Sequence, residues 1–160
     1  MPAHTKSWPT APATIAWKRP SLKQTQEIVR IDTRRGLTDV TRGVQTVVDS
    51  AGIRAGLCTV FIRHTSASLV IQENADPAVQ RDLEAFLSRL VPDGDPRYTH
   101  VSEGPDDMPA HVKSALTRSA ESIPVADGRL TLGTWQGLYV WEHRSGAQRR
   151  ELLVHVLGEP

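Results

Sequence analysis

Six histidines stand among the 160 residues. Imidazole both ligates zinc-like metals and exchanges a proton near neutral pH without a large shift. His64, His100 and His111 are the chemical candidates, because each falls where an element ends or begins and a side chain can be presented. They form no His-x3-His pair on one helical turn, so the fold has to gather them. On spacing alone, scattered surface histidines remain the alternative to a metal or catalytic cluster. His4 near the N-terminus, His143 at an expected hairpin turn and His155 inside an expected strand are weaker candidates.

Other residues add possible chemistry. In Glu73-Asn74-Ala75-Asp76, Asp76 is claimed as a helix cap, which leaves Glu73 to accept a proton, fix a histidine tautomer or simply be solvated. His64-Thr65-Ser66-Ala67-Ser68 is not read as a serine hydrolase motif, since adjacent residues on an extended chain point to opposite sides. Its hydroxyls suit a phosphate or a turn. Between Gly128 and Gly137, Gly133 and Gly137 bracket Trp135 and Gln136. Backbone amides there can cradle an anion and Trp135 can stack on a heteroaromatic ring, or the segment is a bulge around a core tryptophan. Arg149-Arg150 offers forks for phosphate, or a solvated strand edge. The single cysteine, Cys58, lies in an apolar stretch and reads as a buried, inert thiol.

The elements that must position these groups follow from periodicity. Residues 1–20 are rich in Pro, Thr and Ala and read as a flexible leader carrying Trp8 and Trp17, with one domain over 21–160. Gln24 to Thr33 suits a half-buried strand, and Arg34-Arg35-Gly36 a turn. A helix opens at Thr38 or Asp39, buries Val44, Val47, Val48 and Ala51, and stops at Gly52. Leu57 to Arg63 and Ser68 to Glu73 are strands. Asp76-Pro77 opens a second helix with a stripe of Val79, Leu83, Phe86, Leu87 and Leu90. Asp107-Met108-Pro109 opens a third, ending before Ile123-Pro124-Val125. Leu130 to Glu142 and Glu151 to Leu157 are expected to pair as an antiparallel hairpin turning at Ser145-Gly146. The sum is an α+β fold: a single compact domain with antiparallel or mixed sheets and about three helices.

Composition narrows the function classes. A chain of 160 residues with 39% hydrophobic and 23% charged residues can bury a core without disulfides. Nineteen basic against eighteen acidic side chains give a net charge of +1, which does not point to nucleic acid. No stretch reaches the ~18 consecutive apolar residues of a membrane span, and no secretory signal is legible, so a cytoplasmic protein is expected.

The ordered motifs resemble the YjbQ-like family. They are His64-Thr65-Ser66-Ala67-Ser68, Glu73-Asn74, Tyr98-x-His100, Asp107-Met108-Pro109-Ala110-His111-x-Lys113, Ile123-Pro124-Val125, Gly133-Thr134-Trp135-Gln136-Gly137 and Arg149-Arg150, spread over roughly Leu22 to Gly158. One departure is Ala120, where the family usually has Ser. The resemblance implies a homotrimer with polar sites near subunit boundaries, acting on a small phosphorylated molecule. Some members are proposed to be secondary thiamine-phosphate synthases, transferases that join a pyrimidine diphosphate to a thiazole phosphate and release pyrophosphate. By similarity, His64, His100 and His111 would bind a divalent metal such as zinc, with His64, Glu73 and His111 as the catalytic set. Lys113, Gly133, Thr134, Trp135, Gln136 and Arg150 would bind substrate in the same pocket. A non-enzymatic metal or small-anion binding protein and a metal-dependent phosphoesterase are the competing readings.

Overall fold

The computed structural model describes residues 21–160; the leader expectation, Trp8, Trp17 and His4 lie outside the described residues. Eleven elements follow in chain order: β1 (Lys23–Thr33), β2 (Gly36–Asp39), α1 (Thr41–Ala51), β3 (Ala55–Ile62), β4 (Ala67–Glu73), α2 (Pro77–Leu90), α3 (Asp107–Leu116), β5 (Ala120–Ala126), β6 (Arg129–Leu130), β7 (Gln136–Glu142) and β8 (Gln148–Glu159). They build a five-stranded sheet, β1-β8-β3-β5-β6, and a three-stranded sheet, β2-β7-β4. Neighbouring strands run antiparallel throughout. The α+β expectation with three helices is met.

Local chemistry explains most element ends. Asp39 Oδ1 accepts from the Thr41 amide at 2.8 Å, easing one orphan donor of α1, and Gly52 closes that helix in the left-handed region at φ 60°. Val44, Val47 and Val48 are the buried face of α1. Asp76 accepts from the Ala78 amide at 2.7 Å and Pro77 takes the first helical position, as expected of that pair. Of the α2 stripe only Leu87 is buried, while Phe86 and Leu90 are exposed.

One expectation about strands is corrected. β7 and β8 do not form a hairpin, because β7 is the centre of the three-stranded sheet and β8 is held between β1 and β3. Both edges of each strand are already taken, so residues 143–147 carry the chain from one sheet to the other. The region around Ile123-Pro124-Val125 is itself a strand, β5, which alternates exposed and buried residues against β3. Pro124 sits on its exposed side.

The core lies between the inner face of the five-stranded sheet, α1 and the inner face of the three-stranded sheet. Cys58, Val60, Ile62, Leu69, Leu138, Val140, Leu152, Val154 and Val156 belong to it. β7 is buried on both faces, since Leu138 and Val140 enter this core while Trp141 donates through Nε1 to Glu84 of α2 at 2.7 Å. The far side of β7 therefore faces α2 and α3, and polar chemistry is built there.

Candidate functional site

Asp107 and His111 are four residues apart on α3, a spacing that puts them on one helix face. His100, from the loop before α3, completes a group. Its Nε2 lies 2.7 Å from Asp107 Oδ2, and His111 Nε2 lies 3.3 Å from the same oxygen. The ligand atoms of His100, Asp107 and His111 fall within 4.8 Å of one another. Asp107 is buried, whereas the histidines stay open to solvent.

Surrounding groups hold this arrangement. The His111 Nδ1–H donates to the Thr65 carbonyl at 3.0 Å, which leaves Nε2 facing the carboxylate. The other Asp107 oxygen takes the Arg144 guanidinium, which also reaches Asp106 Oδ2 at 3.1 Å and the Glu103 carbonyl at 2.8 Å. Burial acts to raise the Asp106 pKa, but hydrogen bonds from Ser145 and Arg144 prevail and hold it at about 2. Beside His100 opens a cavity of about 330 Å³, lined by Pro96, Tyr98, Val101, Met108 and Pro109 among others. This mixture of one polar centre and an apolar wall suits a small ligand with a ring.

His64 stands apart from this group. Its Nε2 accepts from the Glu151 amide at 2.9 Å and its Nδ1 faces the Arg150 guanidinium at 3.4 Å, so both ring nitrogens are turned to protein donors and away from the His100, Asp107 and His111 group. Burial, and then the charge of Arg150, lower its pKa. Arg150 is buried against Glu142 with two contacts of 2.6 Å and also donates to Ser66 Oγ at 3.0 Å. Its fork is thus committed to the interior. Glu142, fully buried, has burial raising its pKa, yet hydrogen bonds led by Arg150 bring it below the usual carboxylate value.

The remaining predicted residues divide further. Lys113 is 1% exposed and lies in the interior beside Asp93. Glu73, Trp135 and Gln136 gather around a cavity of about 470 Å³ at the opposite end of the three-stranded sheet. Ala67 pairs with Glu142 at one end and Glu73 with Gln136 at the other, a run of about 20 Å along the strand. Asn74 fastens the loop through its Nδ2 to the Thr134 carbonyl (3.3 Å) and the Gln136 carbonyl (3.1 Å), so Trp135 is held out at 66% exposure rather than in the core. The Gly133 amide is spent on Gln136 Oε1 at 2.8 Å and does not cradle an anion. One chain therefore does not bring Trp135 to the histidines.

Sequence reasoning missed Asp107, Asp106 and Arg144. Asp107-x3-His111 was the available signal for the first; it was read only as a helix opening.

The fold and the His-Asp centre define a class: a single α+β domain of two antiparallel sheets with a carboxylate–imidazole cluster at the start of its third helix. The chain belongs to the family described as UPF0047 protein YjbQ-like, whose model matches residues 25–159. It is 54% identical over 140 residues to a UPF0047 protein of Synechocystis, covering 87% of this chain and 95% of that one. It is 42% identical over 113 residues to the UPF0047 protein YjbQ of Escherichia coli, covering 71% and 81%. Among solved structures, a YbjQ-like protein of unknown function from Sulfolobus solfataricus matches with TM-score 0.76 and 26% identity over 87% of this chain and 100% of that one. A hypothetical protein from Aeropyrum pernix matches with TM-score 0.77 and 30% identity over 84% and 99%.

Proposed function

We propose that this protein holds a divalent metal between His100, Asp107 and His111 and acts there on a small phosphorylated molecule. The observation that carries the reading is the tautomer of His111. With Nδ1–H given to Thr65, a neutral ring points its remaining lone pair at the Asp107 carboxylate. Two electron-rich atoms at 3.3 Å call for a cation between them. Two imidazoles and a carboxylate fit zinc, and equally iron in an open three-ligand site. Arg144 holds the carboxylate in place from its other oxygen.

A bound metal would supply charge stabilisation for a departing phosphate or pyrophosphate. The chain's own residues orient the ligands, keep Asp107 buried and offer the pocket of Tyr98, Val101 and Met108 for a ring. The specific reaction that the YjbQ-like resemblance implies is thiamine-phosphate formation: the thiazole nitrogen bonds to the pyrimidine methylene carbon as its bond to the diphosphate oxygen breaks. The same resemblance implies a homotrimer, which we also propose.

The test pairs metal content with product formation in purified wild type, His111→Ala, Asp107→Asn and His64→Ala, each checked for folding by circular dichroism. His111→Ala and Asp107→Asn should lose bound metal at least tenfold and lose turnover, while His64→Ala keeps its metal. Unchanged metal content in folded His111→Ala would sink the reading. A metal-loaded protein that forms no thiamine phosphate but hydrolyses phosphate esters is a phosphoesterase; one that does neither is a binding protein.

A further inference from the structure

His100 is the one member of the His100, Asp107 and His111 group that a helix does not carry. It sits in the span between α2 and α3, where no residue from 92 to 105 is buried. The ends of that span meet: the Gly94 amide donates to the Pro105 carbonyl at 2.9 Å. Below this neck both sides are anchored. Arg35 donates to Asp93 Oδ2 at 2.7 Å, and Asp106 Oδ2 takes the Ser145 amide at 2.8 Å and Arg144 Nε at 3.1 Å. A compact surface loop with joined ends is an Ω-loop, a form that frequently carries function.

Above the neck the hold is slight. Among the described residues, two hydrogen bonds tie 95–103 to the rest of the domain. His100 Nε2 meets Asp107 Oδ2 at 2.7 Å, and the Glu103 carbonyl accepts from Arg144 at 2.8 Å. The pairing of Arg97 with Asp95 is internal to the loop. Val101 is 65% exposed. Segments with few buried contacts open at low cost. Glycines stand at both hinges, Gly94 at φ 74° and Gly104 at φ 106°, and permit the backbone rotation that opening needs.

The loop also makes the cavity beside His100. Apart from Met108 and Pro109 of α3, every residue lining that space of about 330 Å³ lies between Gly94 and Pro105. With the loop lifted from α3, the cavity loses its wall. No lysine or arginine lines it, so it suits the uncharged ring of a ligand and leaves a phosphate to the cation.

We propose that residues 95–103 are a lid whose latch is His100, shut by the divalent cation that joins His100 to Asp107 and His111. This rests on the metal reading and adds an order to it: cation first, then the ring, because the cavity is complete only beneath a latched lid. Two surface hydrogen bonds give way readily. A cation that binds best when all three ligands converge stabilises the shut lid increasingly as its concentration rises.

Trypsin reads the lid, because the Arg97–Tyr98 bond lies on it and the Arg97 side chain is 87% exposed. Protein stripped with chelator should be cut there, the fragments being identified by mass. Zinc at about a hundred times its Kd should slow that cut tenfold or more. His100→Ala, checked for folding by circular dichroism, should be cut at the unprotected rate with or without zinc, which also separates protection from any action of zinc on trypsin. Equilibrium dialysis of the same samples measures zinc bound per chain. Wild type that binds zinc yet is cut at the chelated rate overturns the lid while the metal reading stands. Wild type that retains no zinc overturns both. A folded His100→Ala protein that zinc protects as fully as wild type overturns the latch.

Discussion

His143 is the histidine that the fold forces to be neutral. Burial pulls its pKa from 6.5 down to about 3, with the Lys113 charge adding to the effect, Glu142 opposing it, and Arg150 and Arg35 lowering it further. Between those values the unfolded chain binds a proton that the folded chain refuses. Stability must therefore rise with pH through that window, being complete above about 6.5 and lost as pH falls toward 3. The full term is on the order of 5 kcal/mol. Urea midpoints measured from pH 7 to pH 4 should fall for wild type, and distinctly less for His143→Gln. Equal slopes for the two proteins would show that another group controls acid stability. Cys58 shows the same burial physics with the opposite sign: its neutral form is also favoured, and the thiol is pushed up to about 11, which keeps it inert as its apolar setting had indicated.

At the scale of elements, legibility depended on whether the signal was local. Asp76-Pro77 is a local signal, with a side chain that caps and a ring already set for the first helical turn, and α2 starts where that pair predicts. Asp76→Ala should cost about 1 kcal/mol, read as a lower urea midpoint with an unchanged slope. A larger loss would mean that Asp76 does more than accept from Ala78. The β7 and β8 partnership was not local. Two alternating runs with Ser145-Gly146 between them satisfy every short-range rule for a hairpin, yet burial of both faces of β7 sends it into the smaller sheet. The site divided in the same way. His100 and His111 were legible by residue type, but Asp107 was hidden behind its role as a helix opener. Within one chain Trp135 and Glu73 are not grouped with the histidines, because the register of β4 on β7 sets them at opposite ends of one ladder. Register is a long-range property, and a motif list does not contain it.

Among the described residues, one face of the five-stranded sheet is without cover. Its register aligns Ile28 with Leu153 and Leu153 with Phe61 in one row, and Leu157 with Leu57 in another. Ile28, Leu57, Phe61 and Leu157 are each between 40% and 45% exposed. Isolated exposed apolar side chains are ordinary, but contiguous rows crossing three strands mark a contact surface. The proposed homotrimer gives these rows a second copy of the same chain to pack against. Such an assembly also bears on the distance between Trp135 and the His-Asp centre, because the two ends of one sheet can meet across a boundary although they never meet within a chain. Light scattering at micromolar concentration should therefore give three times the 17.6 kDa chain mass. Leu57→Glu combined with Phe61→Glu places two charges in the rows and should return the mass to a single chain while circular dichroism stays unchanged. A wild type that runs as a monomer would remove the homotrimer, and with it the route by which Trp135 could reach the ligand.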